Sequence, residues 1–159
     1  MGVKVNINDT NNKEYFFMGS KVVILIEGKD TEGRLGLVQQ IEKRGGEPPF
    51  HIHHNEDELL QIQEGNLTFF LGDEQFDAGA GDFVFLPKGI PHRFKVKTEE
   101  VKFLVTAVPA AYESFVQEVG KPIVNDTDQP SIPTKEDIER LVKIGKKYNM
   151  SFLIDGEWK

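Results

Sequence analysis

The sequence predicts an all-β fold, an antiparallel barrel or jelly-roll sandwich, with α-helices confined to its C-terminal third. Three observations predict it. Short apolar or alternating runs follow one another from about residue 15 to residue 108, turn residues separate them at close spacing, and no helical periodicity stands between them. Parallel strands need a crossover of a dozen or more residues, usually a helix, so the parallel α/β classes are excluded.

The first run, residues 21–26 (Lys-Val-Val-Ile-Leu-Ile), is apolar on both faces and is expected near an end of the sheet. Runs at 34–42, 50–54, 58–63, 67–71, 74–78, 82–86, 91–97 and 101–108 follow. Gly28, Gly33, Gly45-Gly46, Gly65, Gly72-Asp73, residues 79–82 and Lys88-Gly89 punctuate them as turns. After the last run, Tyr112, Phe115, Val116 and Val119 fall at helical spacing, and Gly120 with Pro122 supplies a stop. Residues 120–134 are rich in Pro, Asp and Asn and read as a linker over the surface. Thr134 stands three places before Asp137 in the manner of a capping box, and Ile138, Leu141, Val142 and Tyr148 form one stripe, so a second helix begins there. Ser151 to Ile154 reads as a short terminal strand. With no internal repeat, residues 1–110 form the β-rich region, with the barrel core at about 35–110, and residues 111–159 form a helical extension packed on it, not a second domain.

Composition narrows the function classes. A chain of 159 residues buries roughly 68–70% of the surface exposed on unfolding, enough for a core without staples. The net charge is −7 and no window clusters basic residues, so nucleic acid is not an expected partner. Cys is absent, which excludes disulfides, thiolate catalysis and Cys-ligated metals; a metal here needs His and carboxylate ligands. The first residues lack the apolar run of a signal peptide and no stretch approaches a membrane span, so the expected location is the cytoplasm, with no membrane partner.

The four histidines stand at positions 51, 53, 54 and 92. On a strand, residues two apart share a face, so His51 and His53 point together while His54 points away, as a surface or supporting residue. Glu58, Leu60 and Ile62 share one face of the next run. In the run 91–97, Arg93, Lys95 and Lys97 take the solvent side, which turns His92, Phe94 and Val96 inward. A single inward histidine is more commonly structural, held by hydrogen bonds. Two at alternate positions, a carboxylate a few residues on and a third imidazole on another strand are the donor set that suits a borderline divalent metal.

These residues also carry a resemblance. Gly45–(five)–His51–Ile52–His53–(four)–Glu58–(six)–Gly65 resembles the first cupin motif, and Gly81–(five)–Pro87–Lys88–Gly89–(two)–His92 resembles the second. The resemblance covers about residues 35–110 and implies a double-stranded β-helix, a jelly-roll barrel, holding a divalent metal through His51, His53, Glu58 and His92. Val96 stands where the second motif usually closes with Asn, so a side-chain hydrogen bond from that place is absent. The run 51–58, the segment Gly81 to His92, the helix Tyr112 to Val119 and the trailing residues 135–154 together resemble the small single-domain quercetinase-like cupins.

Four protein ligands on an octahedral metal leave two positions, where a substrate oxygen and dioxygen can meet. That favours a metal-dependent dioxygenase or related oxidoreductase acting on a small, aromatic or otherwise flat substrate, with Glu58 also taking the substrate's hydroxyl proton. Fe, Mn, Ni, Co, Cu and Zn all accept these ligands. Leu60, Ile62, Phe94 and Val96 are the expected pocket lining, with some of Phe50, Phe69, Phe70, Phe83, Phe85 and Phe103 added to it. No Arg or Lys has the parity to face the metal, which disfavours a phosphosugar isomerase. The alternatives are a non-catalytic module that senses or sequesters a small ligand, a metal-assisted isomerase or lyase, and a polar histidine cluster without metal. A homodimer is expected, burying the run 21–26 or the C-terminal helices.

Overall fold

The computed structural model describes residues 2–159. Thirteen strands and two helices follow in the order β1 (Lys13–Phe17), β2 (Ser20–Ile26), β3 (Gly36–Lys43), β4 (His51–His53), β5 (Asp57–Glu64), β6 (Asn66–Leu71), β7 (Glu74–Gly79), β8 (Phe83–Leu86), β9 (His92–Val96), β10 (Glu100–Val108), α1 (Tyr112–Val119), β11 (Lys121–Pro122), α2 (Lys135–Lys147), β12 (Met150–Ile154) and β13 (Glu157–Trp158). They form two antiparallel sheets, one ordered β11-β1-β2-β3-β10-β5-β8 and the other β13-β12-β4-β9-β6-β7. This is the jelly-roll barrel that the spacing of apolar runs and turns predicts.

Alternation along each strand builds the core. Leu60 and Ile62 on β5, Phe94 and Val96 on β9, and Val101, Phe103, Val105 and Ala107 on β10 are all buried, while the intervening residues are more exposed. Phe94 packs edge-on against Phe103 at 5.6 Å and lies 6.0 Å from Phe69. The same cluster includes Tyr112, Phe115 and Val116 of α1, Leu141 and Ile144 of α2, and Met150 and Phe152 of β12. The C-terminal segment thus supplies part of the barrel's filling, and β12 extends the smaller sheet by pairing with β4. Thr134 caps α2 as its sequence predicts: Asp137 N–H donates to Thr134 Oγ1 at 3.2 Å, and Thr134 N–H donates to Asp137 Oδ2 at 2.8 Å. Gly65, between β5 and β6, has φ +85, and a Cβ there would stand 2.5 Å from the Glu100 carbonyl oxygen. Only glycine meets both demands.

Three strands were not legible in the sequence. β1 forms a hairpin with β2 through Met18 and Gly19, both at positive φ, a geometry usually marked by Asn-Gly or Asp-Gly. β11 pairs with β1 inside the stretch read as linker, and β13 pairs with β12 close to the last residue.

The run 21–26 does not lie at an end of its sheet. It sits between β1 and β3, with Val22, Val23, Ile24 and Leu25 all buried within the one chain. On α2, Leu141 and Ile144 are also buried, and the exposed positions are charged: Lys135, Glu136, Glu139, Arg140, Lys143, Lys146 and Lys147. The apolar side chains of the run 21–26, and Leu141 and Ile144 of α2, are thus covered within the one chain by the neighbouring strands and by the barrel under α2. Leu59, Phe83 and Phe85 remain exposed; on β8 it is Val84 and Leu86 that turn inward. Among the described residues no helix is long and apolar enough to cross a membrane.

Candidate metal centre

β4 is only three residues long, yet it carries two of the four clustered side chains. Its partners fix it on both sides: His51 is registered with His92 of β9, while Met150 and Phe152 of β12 face His53 and His51. Three imidazoles therefore come from the smaller sheet. Glu58 comes from the larger one, at the start of β5, opposite Ala107. The turn before β9 is tied in as well, since Gly89 N–H donates to the His53 carbonyl at 2.8 Å and Lys88 N–H donates to Asp57 Oδ1 at 2.8 Å.

The structure brings His51, His53, Glu58 and His92 together. One ligand atom from each lies within 4.8 Å of every other. The imidazole of His51 lies 4.4 Å from that of His92 and 5.2 Å from that of His53, centroid to centroid. Each imidazole uses Nδ1 as a donor to a fixed acceptor: His51 to the Pro49 carbonyl at 2.9 Å, His53 to Glu56 Oε1 at 2.7 Å and His92 to the Ile90 carbonyl at 3.2 Å. Those acceptors assign the tautomer and leave the Nε2 lone pairs free. His53 Nε2 and His92 Nε2 are buried without a hydrogen-bond partner, 3.3 and 3.2 Å from Glu58 Oε2. Orphaned buried nitrogens converging on a carboxylate are costly unless something binds them, and a divalent cation fits.

Electrostatics favour the same occupant. Burial alone would raise the Glu58 carboxyl, but His53 and His92, with His51 behind them, pull it down to about 2, so it is an anion at all ordinary pH. Burial, reinforced by the neighbouring His92 and His53, holds His51 well below 6.5 and therefore neutral. For His53 the two carboxylates Glu58 and Glu56 outweigh burial and raise the imidazole above 6.5. A metal ligated there takes the place of that proton.

The cluster opens on a cavity of about 830 Å³ between the two sheets, closed on one side by Tyr112 and Phe115 of α1 and Phe152 of β12. Of the four expected lining residues, Leu60 and Phe94 face this cavity, whereas Ile62 and Val96 pack in the core and do not line it. Val96 instead donates its backbone N–H to Glu47 Oε1 at 2.9 Å. Among the phenylalanines, Phe103 lines the cavity, Phe69 is fully buried in the core, and Phe83 and Phe85 face outward. Phe50 and Phe70 hold the Arg93 guanidinium between them, 4.7 and 4.8 Å from their centroids, at the cavity's border. His54 is exposed and bonded through Nε2 to Ser151 Oγ at 2.9 Å, apart from the cluster.

Sequence reasoning missed Glu56, which is 1% exposed and holds the His53 tautomer. Its signal was a carboxylate three residues after a candidate ligand, hidden in an acidic run of the kind that ordinarily lies in solvent. Tyr112, Phe115 and Phe152 were missed as cavity walls because helical or strand periodicity says that a face is buried without saying against what.

Comparisons with known proteins agree with this architecture. The chain is 24% identical over 99 residues to quercetin 2,3-dioxygenase from Bacillus subtilis, a match covering 62% of this chain and 29% of that protein. The chain thus spans less than a third of the length of this curated relative. Among solved structures, KdgF from a Halomonas species superposes with TM-score 0.59 at 18% identity, covering 68% of this chain and 96% of that one. An RmlC-like cupin from Shewanella frigidimarina gives TM-score 0.59 at 19% identity, covering 71% and 96%. At such identities these likenesses speak for the fold alone. The family model for the cupin domain matches residues 37–108, the stretch that carries all four clustered side chains. The barrel topology and both motifs agree with that match, so over residues 37–108 the chain is similar to the cupin domain.

Proposed function

We propose that the protein is a metal-dependent dioxygenase, or a closely related oxidoreductase, acting on a small flat organic molecule that bears an enol or phenol oxygen. The observation that carries this reading is the convergence of three imidazoles and one ionised carboxylate at the wall of an apolar, aromatic-lined cavity. The partial similarity to quercetin 2,3-dioxygenase supports it. A divalent transition metal held by His51, His53, Glu58 and His92 would supply Lewis acidity, redox chemistry with dioxygen and two further coordination positions.

The chain's own residues would do the rest. Glu56 and the Pro49 and Ile90 carbonyls hold the three imidazoles in the ligating tautomer. Leu60, Phe94, Phe103 and Phe152 present apolar and π surfaces that take up a planar ring and exclude water. Glu58, ionised and aimed at the same point, is placed to accept the hydroxyl proton of an enol or phenol as its oxygen approaches.

Oxygen uptake by protein loaded in turn with Fe, Mn, Ni, Co and Cu, offered phenolic and enolic substrates, tests the reading. Consumption that requires both metal and substrate is expected. Tight substrate binding without consumption under any metal would leave a ligand-binding module in its place.

A further inference from the structure

A second polar group faces the cavity, and the metal chemistry does not use it. On β3, Gln40 and Glu42 alternate with Val38 and turn inward, where the register sets them opposite Phe103 and Val101. Tyr112 donates its hydroxyl proton to Gln40 Oε1 at 2.8 Å, and its ring stands edge-on to His53 at 5.9 Å. Gln40 Nε2 in turn donates to Glu42 Oε2 at 3.2 Å and reaches Ser20 Oγ at 3.5 Å. The chain of contacts thus runs from a metal-ligating imidazole to Glu42. Glu42 is 3% exposed and lines the cavity, and its Oε1 has no hydrogen-bond partner among the described residues. Gly46 lies beside that oxygen, where a Cβ would stand 3.1 Å away.

Burial raises the Glu42 carboxyl; Gln40 opposes this in part and the Glu47 charge adds to it, leaving the group at about 8. At neutral pH Glu42 is therefore an uncharged acid whose O–H lacks a protein acceptor. Because that oxygen opens on the cavity, its hydrogen bond is available to whatever occupies the cavity.

We propose that Glu42, positioned by Gln40 and Tyr112, is a specificity-determining anchor that hydrogen-bonds a hydroxyl or carbonyl oxygen at the end of the substrate remote from the metal. The inference rests on the proposed function for the metal end and adds the requirement at the other end. The preferred ligand is a flat apolar body with an oxygen pair that reaches the metal and a distal neutral oxygen that reaches Glu42. An all-hydrocarbon distal ring leaves the acid unpaired and is disfavoured by about tenfold, the usual weight of one such hydrogen bond.

Calorimetric titration of the zinc-loaded protein, in which the redox-inert metal prevents turnover, tests this with two ligands. One is flavonol; the other is the flavonol bearing a single hydroxyl at the para position of its pendant ring. The wild-type protein should bind the hydroxylated compound about tenfold more tightly. Glu42→Met should abolish the preference by weakening only that compound, and Glu42→Gln, which keeps a neutral donor, should preserve it. Gly46→Ala, which crowds Oε1 without altering polarity, should reduce the preference and serves also if the Met variant fails to fold. Equal affinity of the wild type for the two compounds, or an unchanged preference in both Glu42→Met and Gly46→Ala, would overturn the anchor whether or not oxygen is consumed. The expected preference without oxygen uptake under any metal would instead remove the dioxygenase and leave the anchor standing.

Discussion

Replacing Glu42 by Gln should stabilise the protein, and by an amount that grows with pH. In the unfolded chain this carboxyl loses its proton near 4.5, whereas in the fold it keeps it up to about 8. Between those values the folded state binds more protons than the unfolded one, so stability falls as pH rises. The favourable contribution of the neutral acid is fully present below 4.5 and is lost as pH climbs through 8. Glutamine has nearly the same shape, can still accept from Gln40 Nε2 and never ionises. At about 1.36 kcal/mol per pKa unit, the gap between Glu42→Gln and wild type should be about 1 kcal/mol at pH 5, about 3 at pH 7 and about 5 at pH 9. Urea unfolding of both proteins at these three pH values, in chelator so that metal binding does not contribute, reads the gap directly. Other titrating groups are common to the two proteins and cancel. A gap that stays flat from pH 5 to pH 9 would refute the reasoning, since it would mean that Glu42 is already ionised in the fold.

Four further outcomes are expected. Glu58→Gln and His92→Ala should each lose most bound metal by elemental analysis while keeping the circular dichroism of a folded barrel; an unfolded product would assign these side chains to the scaffold. Glu56→Ala should weaken metal affinity by about 10- to 100-fold in a competition titration, because the His53 imidazole loses the acceptor that fixes its tautomer. Gly36→Ala should destabilise the protein by roughly 1–3 kcal/mol in urea unfolding, as an overpacked core does; its Cβ would stand 2.1 Å from Glu113 Oε2, a carboxylate oxygen buried without a partner. Adding a divalent metal should raise the midpoint of thermal unfolding, and chelator should reverse the rise, because the converging Nε2 atoms exist only in the fold.

Much of this was legible in the sequence. Period-two alternation put His51 with His53 on one face and turned His92 and Phe94 inward, because a strand fixes which side chains share a side; it was the resemblance to the two cupin motifs that implied the full set of His51, His53, Glu58 and His92. The Thr134 cap was legible for a similarly local reason. What stayed hidden depends on pairing across the chain. No local signal says that β11 finds β1, that β2 has a strand on each side, or that β12 lies against β4. The pocket lining failed the same way: alternation cannot separate Leu60, at the cavity, from Ile62, two residues deeper into the core. Glu42 looked like one acidic residue among many until burial and its partner on Gln40 distinguished it.

The pairing of β12 with β4 also sets an order of events during synthesis. β4 meets β9 through the single registered pair of His51 and His92, and three registered pairs with β12 complete its lateral support. At about 5–20 residues per second, a ribosome needs roughly 3–12 s to translate from His92 to Ile154. During that interval all four ligands have been made, yet the strand bearing two of them has no neighbour on its outer side. Until the C-terminal segment has emerged, the strand that carries His51 and His53 therefore lacks the three-pair support that β12 gives it in the finished fold.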